Sequence, residues 1–141
     1  ALRVEKTFGS GAREFRPVYG PYEAGMGRFV ALKKEADFIG KSAAAAEKEQ
    51  GGKLHLRAFV VEATDADAIG DEPICFDGKV RGWVTSGGYA HASGVSVAMG
   101  YVHKEIADEE QGWSIEILGD PCGARLQPAP LFDPGAERMR G

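Results

Sequence analysis

The chain has 141 residues, two cysteines and a formal net charge of -4, from 21 acidic against 17 basic side chains. That length suits one domain able to bury roughly two thirds of its unfolded surface. The acidic balance argues against a nucleic-acid binder, whose footprint is a basic face, and no apolar run approaches the roughly twenty residues of a membrane-spanning helix.

Cys75 and Cys122 are too few for a disulfide framework and too far apart for a CxxC pair. Both read as buried structural thiols kept reduced in a cytoplasmic compartment. The segment Ala1 to Lys6 opens without Met inside a patterned stretch and reads as part of a longer polypeptide. From Leu2 to Val30, Gly9, Gly11, Pro17, Gly20, Pro21, Gly25 and Gly27 break every regular period, which predicts an irregular arm of short turns. Gly9-Ser10-Gly11 and Gly25-Met26-Gly27 each supply half of a dinucleotide fingerprint, but neither follows a strand nor has the third glycine.

A helix is expected over Ser42 to Gln50, where Ala43 to Ala46 give high propensity, with Asp37 as its cap and Gly51-Gly52 as its stop. Glu47, Lys48 and Glu49 read as its solvated face. Leu54 to Glu62 is the first predicted strand, with Leu54, Leu56, Ala58 and Val60 on one face and His55, Arg57, Phe59 and Val61 on the other. The loop after it carries Asp65, Asp67, Asp71 and Glu72; it lacks the glycine and closing glutamate of a calcium loop and reads as solvated.

Asp77-Gly78 is a hairpin turn, since a two-residue primed turn needs positive φ at its centre. It joins a short strand from Pro73 to Phe76 to a longer one leaving at Lys79. Gly82 marks a bulge or barrel corner, and Gly87-Gly88 the strand's end. Ser96 to Val102 forms the next strand, Lys104 to Gly112 an acidic connection, and Trp113 to Leu118 alternates at period two. Gly119-Asp120 turns that strand into Pro121 to Gln127, and Pro128, Pro130 and Pro134 fix an extended tail. The fold class is therefore mainly β: about six antiparallel strands in a Greek-key barrel, an irregular N-terminal arm and one helix. Val60, Ile74, Val84, Val97, Met99, Ile115, Ile117 and Leu126 are expected in one core.

Chemistry is sparse along this chain. His55, His91 and His103 lack metal-ligand spacing and accompanying thiols, and His91 reads as an exposed loop residue. Gly94-Val95-Ser96-Val97-Ala98 stands at the head of a strand, where a nucleophile elbow needs a strand-to-helix turn. No self-contained catalytic constellation and no metal site emerge.

Several strings nevertheless resemble a known family: Glu23-Ala24-Gly25-Met26, Asp37-Phe38-Ile39-Gly40-Lys41, Gly70-Asp71-Glu72-Pro73-Ile74, Gly82-Trp83-Val84-Thr85-Ser86-Gly87-Gly88-Tyr89 and Val97-Ala98-Met99-Gly100-Tyr101-Val102. In order and spacing they look like the C-terminal part of the glycine cleavage T-protein (aminomethyltransferase) family. Leu2-Arg3-Val4-Glu5-Lys6, Arg13-Glu14-Phe15 and Leu131-Phe132-Asp133-Pro134-Gly135 with Arg138-Met139-Arg140 look closest to the branch fused to flavin-dependent dimethylglycine and sarcosine dehydrogenases. Gly11 departs from that branch, which often looks aromatic there.

The resemblance implies a division into residues 1–50, an arm and helix linking to a missing upstream folate-binding domain, and residues 51–141, an aminomethyltransferase-type C-terminal β-barrel. It implies that tetrahydrofolate accepts a one-carbon unit at a site built mostly by that upstream domain, which holds the family's catalytic aspartate, so that this piece is inactive alone. FAD belongs to a fused upstream domain in the dehydrogenase branch, and the donor partner is a lipoyl carrier protein or a flavin dehydrogenase domain. Arg3, in the arginine position of the family's Leu-Arg-Leu-Glu pattern, is the cofactor-binding residue implied, as a charge partner for folate carboxylates. An ion pair of Arg3 with Glu5 or Glu14 is the competing structural reading. A structural or docking barrel that packs on a partner domain is the alternative function.

Overall fold

Two of the chain's hairpins close on two-residue turns. Asp77 (φ 47°) and Gly78 (φ 75°) both occupy the left-handed region, as a type I′ turn requires. Leu118 (φ 51°) and Gly119 (φ 86°) do the same, so the second turn is centred one residue earlier than Gly119-Asp120, with an exposed leucine in the strained position. A computed structural model describes residues 2–141, leaving Ala1 outside. Around these turns it arranges β1 (Leu54–Val61), β2 (Pro73–Phe76), β3 (Lys79–Ala90), β4 (Val95–His103), β5 (Trp113–Ile117) and β6 (Asp120–Gln127).

The strands close into a barrel in the order β1-β4-β3-β2-β5-β6, and β6 returns to β1 through pairs such as Phe59 with Leu126. Every pairing is antiparallel. Since β2, β3 and β4 form a meander and β1 lies beside β4, the connection is a Greek key. Closure gives each strand a neighbour on both sides. Outside the barrel lie α1 (Leu2–Glu5), α2 (Lys41–Gln50) and α3 (Glu137–Arg140), the first and last being single turns.

The α2 helix stops at Gly51 (φ 81°) as expected, but it starts differently. Gly40 (φ 87°) precedes it without a side-chain cap, while Asp37 accepts the adjacent Phe38 N–H instead. Glu47 is likewise not a solvated residue. Its Oε1 accepts the N–H groups of Tyr22 (2.9 Å) and Glu23 (3.0 Å), and Glu23 in turn accepts those of Gly20, Lys53 and Leu54. Two carboxylates thus satisfy the backbone of an arm that has no regular ladder of its own.

The expected single core is two cores. Ile74, Val84, Ile115 and Ile117 fill the barrel with Phe59, Val61, Val102 and Trp113, and Leu126 packs against them. Val97 and Met99 belong to a second cluster with Val4 and Ala90, against which Leu56, Ala58 and Leu131 lie. Val60 joins neither, because the inward face of β1 is that of Phe59 and Val61. The reason is β4, buried on both faces from Ser96 to Val102: barrel interior on one side, arm and tail on the other.

Glycines keep that wall close. The bulge expected at Gly82 is present as a register shift opposite Ile74 and Cys75. β3 does not end at Gly87-Gly88, which pair with Ala98 and Val97. Gly87 lies against the Ala68 carbonyl, where a Cβ would overlap it. Gly100 faces the Trp83 carbonyl and Ile74 in the same way. Gly100→Ala should therefore cost about 1 to 3 kcal/mol, the usual range for overpacking, whereas Gly11→Ala, with open space at its Cβ, should be close to neutral. Urea unfolding midpoints of the two variants check this, and equal midpoints would overturn it.

Candidate functional site

The site grows from an irregularity in β3. Val84 pairs with Gly100 and Ser86 with Met99, so Thr85 is an extra residue in the ladder. Strict alternation would send Thr85 and Ser86 to opposite faces. The bulge instead lets both hydroxyls donate to one acceptor, Oε1 of Glu14, with Thr85 at 2.7 Å.

Glu14 is fully buried. Its Oε2 accepts the Ser10 N–H at 2.7 Å and hydroxyl at 3.2 Å, and Arg3 Nη1 at 3.3 Å. Burial pushes the Glu14 carboxyl up, but the hydrogen bonds from Ser86, Thr85 and Ser10 and the Arg3 charge outweigh it and hold the pKa below the ordinary glutamate value. The carboxylate is therefore ionised at neutral pH. Tyr101 donates its hydroxyl to the Glu14 carbonyl at 2.7 Å. Burial, then Tyr19, Glu23 and Glu14, keep that phenol protonated and a donor. Tyr19 stacks on Tyr101 at 3.7 Å and accepts Trp83 Nε1–H at 3.1 Å, so the arm is stitched to β3 and β4 on both sides of the carboxylate.

Arg3 projects from α1. Its Nη1 also donates to the Phe8 carbonyl at 2.7 Å and its Nη2 to Ser86 Oγ at 2.9 Å. The side chain is 39% exposed and lines a cavity of about 250 Å³ with Leu2, Phe8, Phe132 and Met139. Beneath it the buried Lys6 ammonium holds the Asp133 carbonyl and carboxylate, and Asp133 caps α3 through the Glu137 and Arg138 N–H groups. The cavity is thus an apolar groove between the two chain ends, with the Arg3 guanidinium on its wall and Arg138 stacked on Phe132.

Of the residues singled out in the sequence, Arg3 is here and paired with Glu14, as the ion-pair reading required. Glu5 is not its partner; it is buried and accepts the Ser93 N–H. His55 and His103 lie one register step apart on the paired strands β1 and β4, His55 bonded to the Gly51 carbonyl and Arg57; His91 is exposed beside Tyr89, and no group of His, Cys, Asp or Glu among the described residues could hold a metal. The acidic loop is partly spent internally: Asp67 accepts the Ser96 hydroxyl and Glu72 the N–H groups of Ile69 and Gly70. Both cysteines are unpaired and half-buried. Sequence reasoning missed Glu14 as the hub. The signal was the adjacent hydroxyl pair Thr85-Ser86, which in a regular strand could not share a partner.

A closed six-stranded antiparallel barrel with an arm latched across its outer wall defines the class of domain. Residues 55–133, more than half the chain, match the model of the glycine cleavage T-protein C-terminal barrel domain, and the chain belongs to that family. It is 37% identical over 142 residues to mitochondrial dimethylglycine dehydrogenase of Mus musculus, covering 99% of this chain and 16% of that protein. It is 34% identical over 139 residues to the mitochondrial pyruvate dehydrogenase phosphatase regulatory subunit of the same species, covering 90% and 16%. The crystal structure of glycine cleavage system aminomethyltransferase T from Bartonella henselae shares the fold, with a TM-score of 0.83 and 23% identity over 94% of this chain and 37% of that one. The chain therefore spans about a sixth of the length of the first two relatives and just over a third of the third.

Replacing Glu14 by Ala should destabilise the domain by about 1 to 3 kcal/mol, the cost of burying the Ser86 hydroxyl without its acceptor, whereas the Thr85 hydroxyl can turn to the Met99 carbonyl at 3.1 Å. Because its folded pKa is lowered, Glu14 contributes stability that is fully present above the unfolded glutamate value of about 4.3 and is lost as pH falls through the folded one. Urea unfolding should accordingly weaken less steeply in acid for Glu14→Gln than for the wild type; identical acid limbs would refute the assignment.

Proposed function

We propose that this domain is the C-terminal part of a folate-dependent one-carbon (aminomethyl) transferase, related to glycine cleavage T-protein and to dimethylglycine and sarcosine dehydrogenases. It completes a tetrahydrofolate site whose remainder belongs to a preceding domain. The observation that carries this reading is Arg3: a half-exposed guanidinium, held rigidly, on the wall of an apolar groove. Tetrahydrofolate, when bound, supplies the acceptor for the one-carbon unit. Its conjugated carboxylates suit the fixed fork of an arginine, and its apolar body suits Leu2, Phe8, Phe132 and Met139. The residues present fit the group.

On this reading residues 1–50 link to the upstream folate-binding domain and residues 51–141 are the barrel proper. The family's catalytic aspartate lies upstream, and the fragment is inactive alone. FAD in a fused upstream domain goes with the dehydrogenase branch, favoured by the match to the mouse enzyme; a lipoyl carrier protein is the donor in the other branch. We keep the cytoplasm as compartment on the two reduced thiols, while both mouse relatives carry a mitochondrial designation. No helix among the described residues is long and apolar enough to cross a membrane.

A second reading has its own support, since one relative is named a regulatory subunit: the barrel is then a docking module without catalytic duty. Kinetics separate the two. In the polypeptide that carries this chain, Arg3→Lys and Arg3→Ala should raise the KM for tetrahydrofolate by the equivalent of about 1 to 3 kcal/mol with kcat little changed, as for a contact made equally in ground and transition states. An unaltered KM in both variants returns Arg3 to structure alone. Titration calorimetry of the 141-residue chain with tetrahydrofolate should show no micromolar binding; a Kd near 1 μM, about -8 kcal/mol, would place the whole site in the barrel.

A further inference from the structure

We infer that Glu14, acting with Ser86, is a positioning residue that sets the angle at which Arg3 presents its ligand-binding edge to the groove. The inference rests on the folate reading of Arg3 and adds the device that makes it work.

A guanidinium has five N–H donors on two usable edges. The end edge of Arg3, Nη1 with Nη2, faces the protein: Nη1 donates to Glu14 Oε2 and the Phe8 carbonyl, Nη2 to Ser86 Oγ. The Ser86 hydroxyl in turn donates a hydrogen bond to Glu14 Oε1. The hydroxyl is thus inserted between guanidinium and carboxylate and converts a simple pair into a closed ring of three hydrogen bonds. The carboxylate cannot swing, because Ser10 from the arm and Thr85 from the bulge hold one oxygen each. What remains on Arg3 is the side edge, Nε–H and the second Nη2–H, which makes no hydrogen bond among the described residues. That edge is the bidentate match for a carboxylate, and Arg3 belongs to the groove wall.

The neighbouring cations do not share this arrangement. Lys6 is spent on Asp133, and Arg138 lies over the Phe132 ring. A lone arginine on a surface turn would reorient among rotamers and lose binding energy in being fixed. Glu14 removes that freedom before the ligand arrives, through contacts it makes with the protein and none with the ligand.

The test is steady-state kinetics with tetrahydrofolate in the polypeptide that carries this chain, using Ser86→Ala, Ser86→Thr, Glu14→Gln and Arg3→Ala, singly and with Ser86→Ala combined with Arg3→Ala. Ser86→Ala and Glu14→Gln should raise KM roughly five- to tenfold with kcat nearly unchanged, and Ser86→Thr, which keeps the hydroxyl, should restore it. In the Arg3→Ala background Ser86→Ala should add nothing, because the residue it positions is gone. If Arg3→Ala raises KM while Ser86→Ala and every folded Glu14→Gln preparation leave it alone, the positioning role is wrong and the folate reading of Arg3 stands. If Ser86→Ala raises KM equally with and without Arg3, its effect is general and the inference also fails. If Arg3→Ala itself leaves KM unchanged, the folate reading falls and takes this inference with it. Should Glu14→Gln not fold, the Ser86 pair decides by the same criteria.

Discussion

A single buried carboxylate joins the parts of this domain. Glu14 receives hydrogen bonds from the arm (Ser10), the one-turn helix (Arg3) and the barrel (Thr85, Ser86). Taking a carboxylate out of water costs several kcal/mol, and an ion pair alone repays that poorly. The outcome depends on complete satisfaction, because a half-satisfied network is worse than an apolar core. Here both oxygens are occupied by more than one donor, and no buried side-chain polar atom among the described residues lacks a partner. Glu14 therefore acts as a specificity device: it fixes which part of an irregular arm meets which part of a regular barrel.

The barrel needs that arm for a separate reason. β4 is apolar on both faces, so closure through hydrogen bonds leaves Val97 and Met99 on the outside of the wall. An uncovered patch of that kind would invite association. Val4 from α1 and Leu131 from the tail cover it, and the Lys6–Asp133 pair fastens the two chain ends that supply them. Hydrophobic burial gives the covering its driving force, and Glu14 and Lys6 set its register. The groove beside Arg3 exists because the two ends meet there without filling the space between Phe8 and Phe132.

What the sequence made legible follows from the range of the physics. Asp77-Gly78, the alternation of Trp113, Ile115 and Ile117, and the alanine run of α2 act within a few residues, and each is where it was expected. Misreadings arose where a distant segment decides. Val60 and Phe59 are both apolar neighbours, and which one turns inward is set by pairing with β4 and β6. Gly87-Gly88 looked like a strand end because a glycine pair usually is one, but Gly87 makes room for Ala68, nineteen residues before it in the chain. Glu47 looked solvated because nothing local shows that Tyr22 and Glu23 bring their N–H groups to it. Glu14 is the extreme case: its partners at Thr85 and Ser86 lie more than seventy residues away.

The ion pair of Arg3 with Glu14 and its proposed ligand contact are not alternatives. They compete only if the cation has one face to offer, as a lysine ammonium does once it is committed to a carboxylate. Arg3 spends its end edge on Glu14 and Ser86 and keeps its side edge. The internal pair fixes the plane of the guanidinium, and the Glu14 carboxylate lies beyond its end edge, buried away from solvent. On the proposed folate reading the side edge is what Arg3 offers a ligand carboxylate, while the Ser86 hydroxyl, bonded to both Nη2 and Glu14, keeps the end edge committed to the protein. The bulge at Thr85 makes this possible, because a regular strand would have turned Ser86 away from Glu14 and left Nη2 of the guanidinium without its partner, with only Nη1 held by Glu14 and the Phe8 carbonyl.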